Sequence, residues 1–176
     1  MPLMRKHLDI FWLVAATCAA ASVGLFACGS PTGPSGPPGV SGTWLVGMGL
    51  SGGSLSCTID STFSVSLSQR DTALTGTHTG SAVLCVDSAS GQHVSGAVPP
   101  GRIVNGTITR YAVKEGAPVY FISFDLDTPE SHYTGEISGY LAFIMSGDTG
   151  TQKVDFVVPK GAIVLSADWG ARMQGK

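Results

Sequence analysis

Polar and apolar residues alternate one by one through several short stretches of this chain, and that period of two leaves little choice of fold. In residues 62–69, Phe63, Val65 and Leu67 alternate with Ser64, Ser66 and Ser68. Successive side chains of an extended strand point to opposite faces, so the pattern predicts a strand with one buried face. The period recurs in VYFISFDLD from Val119, where Ile122, Phe124 and Leu126 oppose Ser123, Asp125 and Asp127. It returns in GEISGYLAFIM, KVDFVVP and AIVLSADW. No window beyond the apolar N-terminus carries the period of an amphipathic helix.

Turn residues separate these runs: SGGS at 51–54, VPPG at 98–101, KEGAP at 114–118, DTPE at 127–130 and SGDTG at 146–150. Short strands at such spacing predict an all-β fold, a small antiparallel up-and-down barrel of about eight strands, with a β-sandwich as the alternative. Closure of the sheet removes exposed edges, which favours the barrel. Gly76 in LTGTH, Gly106 in VNGTI and Gly135 in YTGEI recur at nearly constant spacing. Glycine inside a strand marks a bulge or tight bend of the kind that curves small barrels. Chance is the competing explanation, since Thr and Gly are common in this chain.

The N-terminus has a different character. Arg5 and Lys6 precede LDIFWLVAATCAAASVGLFAC, in which Asp9 is the only charge. This is a positive segment followed by an apolar one, the layout of a signal helix. The stretch ends in LFAC, Leu25 to Cys28, which resembles the lipobox of bacterial lipoproteins. That resemblance implies a signal peptide at 1–27, cleaved before Cys28, and a diacylglycerol and usually a further acyl chain, commonly palmitate, on that cysteine. An uncleaved membrane anchor and ordinary secretion are the other readings of the apolar run. The next segment, GSPTGPSGPPG, buries no apolar surface and is held extended by proline, so residues 28–39 read as a lipidated cysteine and its tether. Residues 40–176 are then the barrel domain, long enough for one core and too short for two typical ones.

Without residues 1–27 the chain keeps eight bases and eleven acids, a net charge of −3. A nucleic-acid or anionic-membrane surface would need clustered Lys and Arg, and the sequence shows no such cluster, so neither is expected as a partner of the domain surface. With Cys28 assigned to lipid, Cys57 and Cys85 remain as an even pair in an oxidising compartment, and a disulfide is the economical reading. Free thiols or a metal site lack the paired spacing of zinc ligands. His78, His93 and His132 lie on separate segments, none at metal-ligand spacing, so no metal and no cofactor is expected. Asp125 and Asp127 share one face of their strand, most simply an outward, solvated face. No GxSxG, SxxK or Cys–His arrangement indicates catalysis, and the chain is not expected to be an enzyme.

Ser41–Trp44, read as SGTW, and ALTGTHTGSAV from Ala73 together resemble the avidin and streptavidin family. In that family GTW opens the first strand of an eight-stranded up-and-down barrel and an LTGTY-type segment lies on a following strand. A G-x-W first strand also occurs in lipocalins and other calycin-like barrels. The resemblance implies the same architecture here, and not the biotin pocket. The domain has only Trp44 and Trp169, and His78 replaces the pocket tyrosine. Trp44 is expected to plug one end of the barrel.

These readings converge on an exported cell-envelope lipoprotein, anchored to the bilayer through acylated Cys28. It would lie in the outer membrane or on the periplasmic face of a diderm cell, or otherwise at the cell surface. Its barrel is expected to be a non-catalytic binding module for a small apolar ligand or an envelope protein partner, with Phe63, Phe124 and Phe143 as candidate lining residues. The alternative is a structural or inhibitory protein whose barrel is filled by its own side chains. An enzyme of unknown class ranks third.

Overall fold

Eleven strands account for nearly all of the barrel: β1 (Gly42–Gly52), β2 (Leu55–Ile59), β3 (Ser64–Arg70), β4 (Ala73–His78), β5 (Ser81–Asp87), β6 (His93–Val98), β7 (Gly101–Lys114), β8 (Ala117–Leu126), β9 (Thr128–Ser138), β10 (Ile144–Phe156) and β11 (Gly161–Met173). The structure is a computed structural model that describes residues 36–60, 62–114, 116–139, 142–157 and 160–176. The signal segment, Cys28 and residues 29–35 of the expected tether lie outside the described residues. All strand pairs are antiparallel, and β11 pairs with both β1 and β10, so the sheet closes. The fold is the expected all-β antiparallel barrel.

Its strands outnumber the eight or so expected, for a physical reason. β2 and β3 run in one direction end to end along β1, pairing with its last and first residues respectively. β4 and β5 continue one another in the same way along β3 and β2, and β6 and β7 along β5 and β4. Three long runs are therefore each broken in two. The breaks coincide at residues 60–63, 79–80 and 99–100. Pro99 and Pro100 have no N–H to give a ladder, and the Asp60 carboxylate captures the Thr62 N–H at 2.9 Å in a local turn. Gly80 lies against Pro100, whose Cδ would be 2.8 Å from any added Cβ. VPPG, read from sequence as a turn, is thus a kink between two co-linear strands.

At these breaks the sheet forks. One continuous ring of eight strands runs β1, β3, β4, β7, β8, β9, β10, β11. A second, of six, runs β1, β2, β5, β6, β10, β11, closed where Ala97 and Gly96 pair with Asp155 and Phe156. The β8–β9 hairpin turns at the fork. It is excluded from the narrower end, where β6 takes its place beside β10.

Two other expectations need correction. SGDTG at 146–150 lies within β10 and forms no turn, and its extra residue is absorbed as a register shift against β9 between Gly147 and Thr149. GEISGYLAFIM does not run as one strand, because β9 ends at Ser138 and β10 starts at Ile144. The three repeated glycines sit where backbones nearly touch. A Cβ on Gly76 would lie 1.9 Å from the Ser66 carbonyl oxygen, one on Gly106 2.4 Å from that of Leu74, and one on Gly135 2.5 Å from that of Ser146. Gly76 and Gly106 also flank register shifts, as expected for strands that bend to close a barrel.

The interior is packed with side chains. Trp44, Phe63, Leu50, Leu74, Ile108, Ile122, Tyr133, Ile137 and Leu165 are all fully buried. Phe124 stacks on Tyr133 with ring centroids 5.5 Å apart, and Trp169 meets both rings edge-on at 5.7 and 5.5 Å. These are favourable aromatic arrangements. At the end where β1 begins, Trp44 donates its Nε1–H to the Val40 carbonyl at 2.9 Å. The Val40 N–H is held by Gln69, and the Tyr120 hydroxyl donates to the Gly36 carbonyl. Gly36–Val40, which sequence assigns largely to the tether, is therefore a strap laid across the wider end.

Candidate functional site

The fork brings polar side chains together. Asp127, between β8 and β9, takes the left-handed conformation (φ 62°) that Asp tolerates better than most residues. Its Oδ2 lies 2.9 Å from His78 Nε2 on β4, and its Oδ1 accepts the Arg102 N–H at 2.8 Å. Its own N–H donates to the Arg102 carbonyl. Gly101 makes room for this carboxylate: a Cβ there would lie 1.8 Å from Oδ2. Burial pushes the Asp127 carboxyl up, but the Arg102 N–H, the His78 hydrogen bond and the charges of His78 and Arg102 outweigh it. The carboxyl settles below its ordinary value.

His78 is itself buried, with its ring against Phe63 at 5.9 Å. Its Nδ1 lies 3.2 Å from the Thr79 carbonyl oxygen, so both ring nitrogens face atoms that only accept. Beside this pair the fork opens as a cleft of about 160 Å³, floored by Val98, Pro99 and Leu126 and walled by Thr128, Ser131, Gln152, Lys153 and Asp155. The buried Gln152 amide links the cleft to the core. Its Oε1 accepts the Tyr133 hydroxyl at 2.5 Å and its Nε2 donates to Ser131 Oγ at 3.1 Å. The Ser131 oxygen also accepts the Lys153 N–H. Burial pushes the Tyr133 hydroxyl well above its ordinary value, so it serves as a donor and not as an acid.

A second His–Asp pair lies on the same hairpin. Asp125 and His132 are register partners on β8 and β9, and Asp125 Oδ1 meets His132 Nδ1 at 2.5 Å. Asn105 Nδ2 donates to the other carboxylate oxygen at 2.8 Å. The expected solvated face is therefore wrong for Asp125, which is only 4 % exposed, and Asp127 lies outside the strand altogether. Among the described residues no three His, Cys, Asp or Glu side chains converge as a metal set.

The remaining candidates are placed as follows. Cys57 and Cys85 face each other across β2 and β5 and are joined as a disulfide. Phe63 and Phe124 are core residues whose rings rest on His78 and on Tyr133 and Trp169. Phe143 lies in the β9–β10 connection, 36 % exposed. The three phenylalanines thus have different neighbours and do not share one wall. Cys28 falls outside the described residues. Sequence reasoning missed both His–Asp pairs. The Asp125–His132 pair was open to it, because DTPE as a hairpin turn sets these residues opposite one another, whereas nothing local connects His78 to a partner 49 residues away.

No protein-family model, no curated protein and no solved structure matches this chain. The closed antiparallel barrel is consistent with a calycin-like fold.

Proposed function

We propose that this chain is a membrane-anchored cell-envelope lipoprotein, held through acylated Cys28. Its barrel is a self-filled, non-catalytic scaffold that recognises a ligand or partner at the fork cleft. The Phe124–Tyr133–Trp169 cluster carries the reading, because these rings occupy the space an enclosed ligand would need. A small apolar ligand inside the barrel has less support, since Phe63 and Phe124 already spend their ring faces on other side chains. The cleft suits a small polar group: it offers the Asp127 and Asp155 carboxylates and Lys153 over an apolar floor. Binding is favoured over catalysis because both His78 nitrogens and the Ser131 oxygen are already engaged in hydrogen bonds within the fork.

Mass spectrometry of the protein purified from its native membrane tests both halves. Acyl mass on a chain starting at Cys28, with no apolar molecule carried along, is the expected result. An intact residue 1–27 overturns the anchoring, and a stoichiometric co-purified hydrocarbon ligand overturns the filled scaffold.

A further inference from the structure

We infer that the wider end of the barrel, where the chain enters it, is a docking face for an anionic lipid bilayer. The inference rests on the lipoprotein reading above and adds an orientation to it. The described chain starts at Gly36, bonded to Tyr120 near the β7–β8 hairpin. Eight peptide steps separate Cys28 from Gly36. Whatever their conformation, eight steps span at most about 28 Å. A lipid on Cys28 therefore keeps this end near the membrane surface.

The same end carries the chemistry a bilayer surface selects. Tyr111 is 65 % and Val113 58 % exposed near the end of β7, with Tyr111 against Phe121 at 6.3 Å. Phe143 and Ile144, at the neighbouring β9–β10 connection, are also exposed. Five of the domain's eight bases are here: Arg70, Arg110, Lys114 and Arg172 at strand ends, and Lys176 at the chain end. Asp71 and Glu136 share this end, and Glu115 follows Lys114 in sequence. The rest of the domain has three bases and eight acids. A chain acidic overall is thus basic at one end, and its exposed Tyr and aliphatic residues lie among those bases. Aromatic and aliphatic side chains enter the headgroup boundary while Lys and Arg reach the anionic groups.

The opposite end supplies a control. Val157, Ile163 and Val164 expose comparable apolar surface at the β10–β11 tip. β11 has 13 residues. At a rise of ~3.3 Å per residue this tip is about 40 Å along the strand from the wider end, and it carries Lys160 in place of the cluster of bases at the wider end.

The test uses the full acylated chain in phosphatidylethanolamine–phosphatidylglycerol vesicles with brominated acyl chains. Tryptophan is introduced as Tyr111→Trp or Ile163→Trp, and the unsubstituted protein reports the background from Trp44 and Trp169. Emission added by Tyr111→Trp is expected to fall about two-fold on brominated vesicles, the depth of an interfacial side chain, while that added by Ile163→Trp is unchanged. Replacing Arg110 and Lys114 by Ser weakens the quenching at position 111, as does high salt. Equal quenching at the two positions, or stronger quenching at 163, overturns the docking face while leaving the anchor intact. Absence of acyl mass on Cys28 in the same preparation overturns the anchor, and the orientation with it.

Discussion

His78 Nε2 lies 2.9 Å from Asp127 Oδ2, a contact that ties β4 to the β8–β9 turn across 49 residues. The same carboxylate holds the Arg102 N–H of β7, so one side chain closes the fork on three elements. Its folded carboxyl lies below the ordinary value of 3.8. A depressed acid stabilises the fold fully above its unfolded value, and the contribution disappears as pH falls through the folded one. Asp127→Asn should therefore flatten the acid limb of stability below about pH 4. At pH 7 the loss should be about 1 kcal/mol, discounted because the side chain is partly exposed. Urea unfolding at a series of pH values measures both.

Gly101 is predicted to act through Asp127. Gly101→Ala drives a Cβ into the carboxylate, at 1.8 Å from Oδ2 if nothing moves. The carboxylate must leave His78 and the Arg102 N–H, at a cost of about 1–3 kcal/mol. Because the two changes break the same contacts, the double variant Gly101→Ala, Asp127→Ala should cost little more than either alone. Full additivity in a double-mutant cycle rejects this account.

Tyr133→Phe removes the hydroxyl that donates to Gln152 Oε1 in the buried network below the cleft. The amide oxygen is left without that donor in a site that is 2 % exposed. The expected cost is about 1–3 kcal/mol, although the ring and its contacts with Phe124 and Trp169 survive. A lowered urea midpoint with unchanged near-ultraviolet tryptophan dichroism distinguishes this from a collapse of the aromatic cluster.

The Cys57–Cys85 disulfide joins β2 to β5, the strands that make the narrower end, across 28 residues of sequence. Replacing both cysteines by serine should lower stability by about 3–4 kcal/mol. Thermal unfolding of the variant, beside the parent with and without reductant, checks the value. A reduced parent that melts with the oxidised one speaks against it.

The period of two in residues 62–69 and from Val119 gave β3 and β8; in β3 one face is buried and the other wetted, whereas β8 keeps no exposed residue and its polar face is covered, Asp125 included. The same rule failed at SGDTG, where turn-forming residues sit inside β10 as an irregularity in its pairing with both β9 and β11. It failed at VPPG for a related reason: proline forbids a ladder bond at its own position, but whether the chain reverses or continues beyond it depends on the neighbouring strands. The cysteine pair was legible from parity, since few other partners were available once Cys28 was set aside. The fork and its His78–Asp127 contact were not, because they exist only once three strands break at the same level.

Strand β1 is made first and β11 last, yet Trp44 is the register partner of Met173 and Ser51 of Ser166. A barrel that closes by joining its two ends has no stable half: every strand from Leu55 onward can be extended and the seam still stands open. A chain emerging from its N-terminus would therefore stay pliable until nearly all of it has appeared. Only when its final segment is present can the seam zip shut, which makes completion of the chain and completion of the barrel the same event.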